Sequence, residues 1–406
     1  MRLCPLSLEN LLDFSTKIVY IISMVEITRT TKLKIGLPFD TAQSTVQAWT
    51  DACNYVSQVA FKNSFLSNAA RLHKLTYSEV RKRFGLTAQV SQSVIRHVAS
   101  KYVAARTAKR KLKAPVKFRL YAVALQGGPR GRDFSFTKKG LSVSTVNGRV
   151  KSIPFHGAPH LTEYLSTWSL GDARLSVRKN KVFLSVSFKT KAPEVTKPND
   201  AVVGVDRGIN YLAVATDGKR SRFYGGGRLK HVHERHTKTR ASLQRKKAER
   251  KTRSLRRTLK RLSGRGARFT KDANHVVSKR IVQFARKTGN PIIAIEKLDG
   301  IRNGRHLRKE QRTDLNRWPF YQLEQFLRYK AANYGFEVIE VEAKDTSKGC
   351  SCCGYADSTN RKGRNFVCKA CGYRLHADLN ASRNIRLRGI LARQALWGDG
   401  LPSASP

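Results

Sequence analysis

The sequence predicts an α/β fold for the C-terminal half of the chain, and three observations carry that prediction. Short β-branched runs end twice in an acidic residue: Ala201-Val-Val-Gly-Val205 at Asp206, and Ile292-Ile-Ala-Ile295 at Glu296. A third acid, Asp378, opens the helical stretch Leu379-Asn-Ala-Ser-Arg-Asn-Ile-Arg-Leu387. Strand-like and helix-like segments alternate between these points. Apolar runs of this length read as buried strands, so each one delivers a carboxylate at a sheet edge.

The elements follow in order. Asn210-Tyr-Leu-Ala-Val-Ala-Thr216 reads as a second strand, turned by Asp217-Gly218, a pair that favours a tight hairpin. Arg222-Phe-Tyr224 supplies a third short strand ahead of Gly225-Gly-Gly227. Those glycines lack the lysine–serine pair of a phosphate loop and read as a flexible hinge. A long helical region follows, then a helix on which Val277, Ile281 and Phe284 recur at i, i+4, i+7. Gly289 and Pro291 stop it before the Glu296 strand. The next helix starts near Pro319, with Phe320, Leu323 and Leu327 on one face and Gly335 as its stop. Phe336-Glu-Val-Ile-Glu-Val341 alternates as a further strand. Three antiparallel strands, helix, strand, helix, strand, insert, helix is the RNase H-like order. The acids fall on the first strand, the fourth strand and the last helix. Carboxylate oxygens are hard ligands for Mg²⁺, and a metal pair ~4 Å apart can clamp both oxygens of a phosphodiester displacement. One such acid alone is as easily a loop-starting residue; it is the set that points to this chemistry.

The insert carries the second signal. Cys350-x-x-Cys353, fourteen intervening residues and Cys368-x-x-Cys371 have the spacing of a four-cysteine zinc ribbon. Gly354 and Gly372 allow the turn behind each pair. Cys350-Ser-Cys-Cys353 offers three thiols; spacing favours Cys350 and Cys353 and leaves Cys352 as a spare. Disulfides of a secreted protein are the competing reading. Four of the seven cysteines form one metal-type pattern, however, and Cys4 and Cys53 lie far away.

These residues resemble a family. Thr346-Ser-Lys-Gly-Cys-Ser-Cys-Cys-Gly354, Phe366-Val-Cys-Lys-Ala-Cys-Gly372 and Asp378-Leu-Asn-Ala-Ser-Arg-Asn-Ile385 look like the C-terminal signature of TnpB proteins. TnpB proteins are RNA-guided nucleases encoded by insertion sequences and related to compact type V CRISPR effectors. Phe326-Leu-Arg-Tyr-Lys-Ala-Ala-Asn-Tyr-Gly335 and Gly204-Val-Asp-Arg-Gly-Ile-Asn210 match the family's helix and first RuvC motif. The similarity is specific over roughly 200–390 and only architectural before that. It implies a RuvC-like nuclease with Asp206, Glu296 and Asp378 as a Mg²⁺-binding triad, a guide RNA, and cleavage of target DNA beside a short adjacent motif. His376-Ala377 departs from the family, where many members have another acid and an arginine, and this bears on contacts around the metal ligands.

A formal charge of +51 on 406 residues, with pI near 10.7, favours polyanions. The densest run, Arg240 to Arg268, contains Arg245, Lys246, Lys247, Arg250, Lys251, Arg256 and Arg257. Leu255, Leu259 and Leu262 recur there at helical spacing, which predicts a helix with an apolar stripe and a basic face lining an RNA–DNA duplex. A simple solvated helix is the alternative.

Length predicts more than one domain. Residues 1–23 hold the apolar patch Ile18-Val-Tyr-Ile-Ile22, too short to span a bilayer, and read as an extension before a true start at Met24. Residues 24–40 begin a β domain, and 41–113 are helical, with Val46, Trp49, Cys53 and Val56 on one face. Residues 114–192 return to β. By resemblance these segments are a β-barrel wedge domain with a helical recognition insertion. The rest divides into a linker over 193–200, nuclease core over 201–345, zinc ribbon over 346–375, last helix over 376–397 and a disordered tail over 398–406. The expected setting is cytoplasmic and nucleoid-associated, with no membrane and an open oligomeric state. A DDE-type transposase and a non-catalytic nucleic-acid-binding regulator remain alternatives; the first expects its glutamate on the last helix, the second the loss of an acid.

Overall fold

The computed structural model describes residues 26–397 apart from 111, 120–121, 128–131, 158, 194–199, 251 and 299–318. The expected extension 1–23 with Cys4 and Met24, most of the 193–200 linker, Lys251 and the 398–406 tail lie outside the described residues. The chain divides into two compact units, one of Glu26–Lys191 and one from Ala192 onward.

In the first unit, β1 (Glu26–Ile35) leads into α1 (Phe39–Lys62), α2 (Ala69–Phe84) and α3 (Ala88–Thr107). The stripe of Val46, Trp49, Cys53 and Val56 is buried along α1. Asn68 caps α2 by accepting from the Arg71 N–H, and Gly85 ends it in the left-handed region at φ 62°. Then come β2 (Ala122–Leu125), β3 (Phe134–Thr137), β4 (Gly140–Thr145), β5 (Gly148–Ile153), β6 (Phe155–His156), the short α4 (Leu161–Thr167), β7 (Ser169–Arg178) and β8 (Lys181–Lys191). They pair as a five-stranded sheet, β2-β7-β8-β1-β6, and a three-stranded sheet, β3-β4-β5. Since β1 lies between β8 and β6, the three helices are an insertion within one sheet. One apolar core joins them, from Val46 and Val94 on the helices to Leu33, Leu175 and Leu184 on the strands.

The second unit runs β9 (Val202–Asp206), β10 (Tyr211–Thr216), β11 (Ser221–Gly225), α5 (Gly227–Arg250), α6 (Arg253–Leu262), α7 (Arg265–Arg286), β12 (Ile292–Glu296), α8 (Phe320–Ala332) and β13 (Val338–Val341). Short strands β14 (Arg361–Lys362), β15 (Asn365–Val367) and β16 (Arg374–His376) precede α9 (Ala377–Trp397). The large sheet has the order β11-β10-β9-β12-β13. β12 runs parallel to both β9 and β13, while β10 is antiparallel to β9 and β11. The period-two alternation of strands sends Val203, Val205, Ile293 and Ile295 to one face, against Val277, Ile281, Leu323 and Leu327 of α7 and α8. Val202, Ile292 and Ala294 face the other way, against Ile385 of α9. Burial on both faces is why these runs are continuously apolar.

Two expectations need correction. The single helix over Arg240–Arg268 is broken twice. Thr252 caps α6 by accepting from the Leu255 N–H, and Gly264 at φ 71° starts α7. Its stripe of Leu255, Leu259 and Leu262 is only half-buried, and α6 buries none of its residues. Within the supposed hinge at Gly225–Gly227 the middle glycine is held: the Gly226 N–H donates to Asn210 O at 2.8 Å, and a Cβ there would lie 2.4 Å from Ile209 O, whereas Gly225 and Gly227 stand in open space.

Candidate active site and metal centre

Asp206 and Glu296 end neighbouring parallel strands. Val205 stands opposite Ile295, so the two acids that follow leave the sheet at the same end. Asp378 lies in the first turn of α9, where the helix dipole favours a carboxylate. Two glycines let α9 sit against the strands. A Cβ on Gly204 would lie 2.2 Å from Ser382 O, and one on Gly389 would lie 2.6 Å from the Ala294 Cβ.

The three acids are brought within electrostatic reach of one another. Burial pushes the Asp206 carboxyl well above the usual carboxylate range, and the negative charges of Glu296 and Asp378 push it further. Arg361 and the Arg207 N–H pull the other way. Burial also raises Glu296, opposed by the Thr346 hydroxyl and by Arg207, Arg388 and Arg361. Thr346 Oγ1 donates to Glu296 Oε1. Arg361 Nη2 pairs with Asp378 Oδ1 at 2.8 Å, and the Asp378 N–H donates to His376 Nδ1 at 3.2 Å. Arg207, its side chain 1% exposed, pairs with Glu324 of α8 at 3.0 Å and donates to the Glu296 backbone oxygen. Sequence reading missed Thr346, Arg361 and Arg207 as supports of the acids. Arg207 had a signal, being adjacent to Asp206; the other two reach their partners only through tertiary folding.

The Sγ atoms of Cys350, Cys353, Cys368 and Cys371 all lie within 4.8 Å of one another. Cys350 and Cys371 are 3.8 Å apart, and Cys353 and Cys368 are 3.5 Å apart. A tetrahedral ion at ~2.3 Å from each sulfur needs S···S edges of ~3.8 Å, so the quartet suits zinc. The Gly354 and Gly372 N–H groups close each knuckle on Cys350 O and Cys368 O, at φ 79° and 70°. Cys352 stands outside the quartet. Asn380 and Asn384 of α9 anchor the quartet's leading segment by donating to Gly349 O at 2.7 and 2.8 Å. Asn380 also accepts from the Ser351 N–H at 2.9 Å. The helix that carries Asp378 therefore also holds the cysteine module.

The basic candidates stand apart. Arg245, Lys246, Lys247 and Arg250 on α5, and Arg256 and Arg257 on α6, are all exposed, and none forms a described bond to the three acids. No helix among the described residues is long and apolar enough to cross a membrane.

Residues 184–312 match a family described as a probable transposase, and 320–385 match the Cas12f1-like TNB domain. Over 226 residues the chain is 31% identical to the CRISPR-associated endodeoxyribonuclease Cas12f1 of Sulfoacidibacillus thermotolerans, covering 52% of this chain and 51% of that one. It spans about half the length of the Cas12f1 proteins it matches. It is 27% identical over 263 residues to the TnpB-like protein MJ0751 of Methanocaldococcus jannaschii, covering 62% of this chain and 91% of that one. The fold resembles Cas12f1 in its complex with sgRNA and target DNA, at TM-score 0.59 and 16% identity over 86% of this chain and 82% of that one. Both family regions fall on the acid-bearing and cysteine-bearing segments, so this half of the chain is similar to TnpB-like and Cas12f1 proteins.

Proposed function

We propose that this chain is an RNA-guided DNA endonuclease of a transposable element, hydrolysing phosphodiesters at Asp206, Glu296 and Asp378. The observation that supports the reading is that two adjacent parallel strands and one helix bring Glu296 and Asp378 within electrostatic reach of Asp206. The strand order β11-β10-β9-β12-β13 supports a RuvC-like, RNase H-type core over 201–345 and 376–397, with a zinc ribbon inserted at 346–375. We read the two sheets of Glu26–Lys191 as a wedge barrel and α1–α3 as its recognition insertion.

The oxygen-only donor set of the three acids suits Mg²⁺. Asp206, Glu296 and Asp378 would hold a Mg²⁺ pair, which would supply water activation and leaving-group stabilisation for a hydrolysis giving 5′-phosphate and 3′-hydroxyl ends. The chain's own residues position the ligands. Thr346 orients Glu296, Arg361 holds Asp378, and Arg207 ties the end of β12 to α8. Sequence reading of the target belongs to base pairing with the guide, and the bases of α5 and α6 contribute phosphate contacts. The test is cleavage of a target by the protein with the RNA that copurifies with it, comparing wild type with Asp206→Ala, with and without Mg²⁺. Loss of cutting in Asp206→Ala is expected; equal cutting would remove the metal-nuclease reading.

A further inference from the structure

Two arginines of the second unit are buried among the described residues, Arg207 and Arg393. Arg393 pairs at 2.7 Å with Asp200, which is open to solvent. Arg207 has no such outlet: it follows Asp206 directly, and its side chain is sealed inside. A guanidinium loses a large hydration free energy on entering such a place, and pairing with one carboxylate seldom returns more than was lost. Glu324 meets Arg207 at 3.0 Å, and the same carboxylate holds Arg328 at 3.0 Å. Arg328 in turn reaches Glu340 and donates to Val338 O at 2.8 Å. The Nε of Arg207 is buried with no acceptor among the described residues. Apolar side chains of similar volume would fill the Arg207 and Glu324 positions with little or no loss of stability, so stability does not account for the charges.

The acid cluster does account for them. The parallel register of β9 and β12 runs out at Val205 and Ile295, one residue short of Asp206 and Glu296. Beyond that point Arg207, rooted on the end of β9, donates through Nη2 to the main-chain oxygen of Glu296 on the end of β12. A guanidinium is a rigid fork: with Nη1 fixed by Glu324 of α8, the direction of Nη2 is fixed too. An ammonium offers a point charge and no such fork.

We propose that Arg207 is a positioning residue whose guanidinium, braced by Glu324, sets the separation of Asp206 and Glu296 for binding a divalent metal. The inference rests on reading those acids as metal ligands. Mg²⁺ demands near-ideal octahedral geometry, so the spacing of its carboxylates bears directly on affinity. Groups that orient metal ligands typically matter about 10–100-fold.

The experiment uses Mn²⁺ as the probe, because it takes the same oxygen ligands and its free ion is counted by electron paramagnetic resonance. The full chain is titrated as wild type, Asp206→Ala, Arg207→Lys and the double variant Arg207→Met with Glu324→Met. Wild type should hold Mn²⁺ that Asp206→Ala does not. The double variant leaves neither partner charged, and Arg328 keeps Glu340, so its metal-free melting temperature should match wild type. Its Mn²⁺ affinity should nevertheless fall by about 10–100-fold. Arg207→Lys keeps the charge without the fork and should be weakened as well. Wild-type affinity in either variant, with Asp206→Ala still deficient, would overturn the positioning role and leave the acid site standing. Equal binding by wild type and Asp206→Ala would remove the acid site and the positioning role together. A double variant that melts well below wild type would mark a structural ion pair and overturn the inference as well.

Discussion

Asp206, Glu296 and Asp378 stand at the ends of elements locked by core packing, whereas Arg245, Lys246, Lys247, Arg250, Arg256 and Arg257 stand on helices that bury almost nothing. α5 buries only Leu229 among its described residues, and α6 buries none. The acids are few, mutually repelling and tied to named partners. The bases are many, exposed and interchangeable, which is how sequence-blind phosphate contact is built. A single acid should therefore matter greatly for activity and little for folding, and a single base should matter little for either.

The largest effect expected is on cleavage by Asp206→Ala, which should fall by orders of magnitude with RNA binding retained. Its folding should not suffer. Asp206's folded carboxyl titrates above the ordinary 3.8, so its contribution to stability is present in acid and lost as pH rises through the raised value. The metal-free variant should then melt no lower than wild type at neutral pH. A clear drop in melting temperature would break the contrast drawn above.

Zinc comes next. Cys368→Ser should lose the bound ion and unfold the module around it, whereas Cys352→Ser should keep the ion, as read by elemental analysis of purified protein. Retention of zinc by Cys368→Ser would contradict the quartet. Gly204→Ala probes the packing beneath the acids. Its Cβ has no room beside Ser382 O, so destabilisation of about 1–3 kcal/mol is expected in denaturant titration. An unshifted midpoint would show that α9 slides freely.

Smaller effects belong to the bases. Neutralising Arg245, Lys246 and Lys247 together should leave stability within about 0.5 kcal/mol and flatten the salt dependence of nucleic-acid binding by a slope of about 2–3. An unchanged slope would place the phosphate contacts elsewhere. Lys330 gives the finest test. Folded at about 8 against an ordinary 10.5, it opposes folding fully below pH 8. Between those values the folded protein releases its proton before the unfolded one, so stability should rise with pH across that window. The increment should vanish in Lys330→Met, as thermal melts across the window can show.

The same contrast explains what was legible in the amino-acid order. Asp206 and Glu296 could be read because continuous apolar runs end at them, and the cysteines because knuckle spacing is local. Thr346, Arg361, Asn380 and Asn384 carry no local pattern; they act through contacts that exist only once the chain has folded. The basic run misled differently. Its leucines have helical spacing, but spacing cannot say that Thr252 and Gly264 interrupt the helix or that nothing covers the stripe. The glycines after β11 read as slack because their composition is that of a loop, while Gly226 is fixed by the backbone it touches.

The distance along the chain between the strand acids and α9 has a consequence for synthesis. A ribosome makes β9 and β12 early, and Ala377–Trp397 emerges only after the cysteine module has been made. Until then Asp206 and Glu296 lack both the third carboxylate and the helix that packs on Gly204. On the proposed reading, nascent chains, and fragments cut short before Asp378, would not cut DNA, and competence would arrive only when that helix has left the exit tunnel.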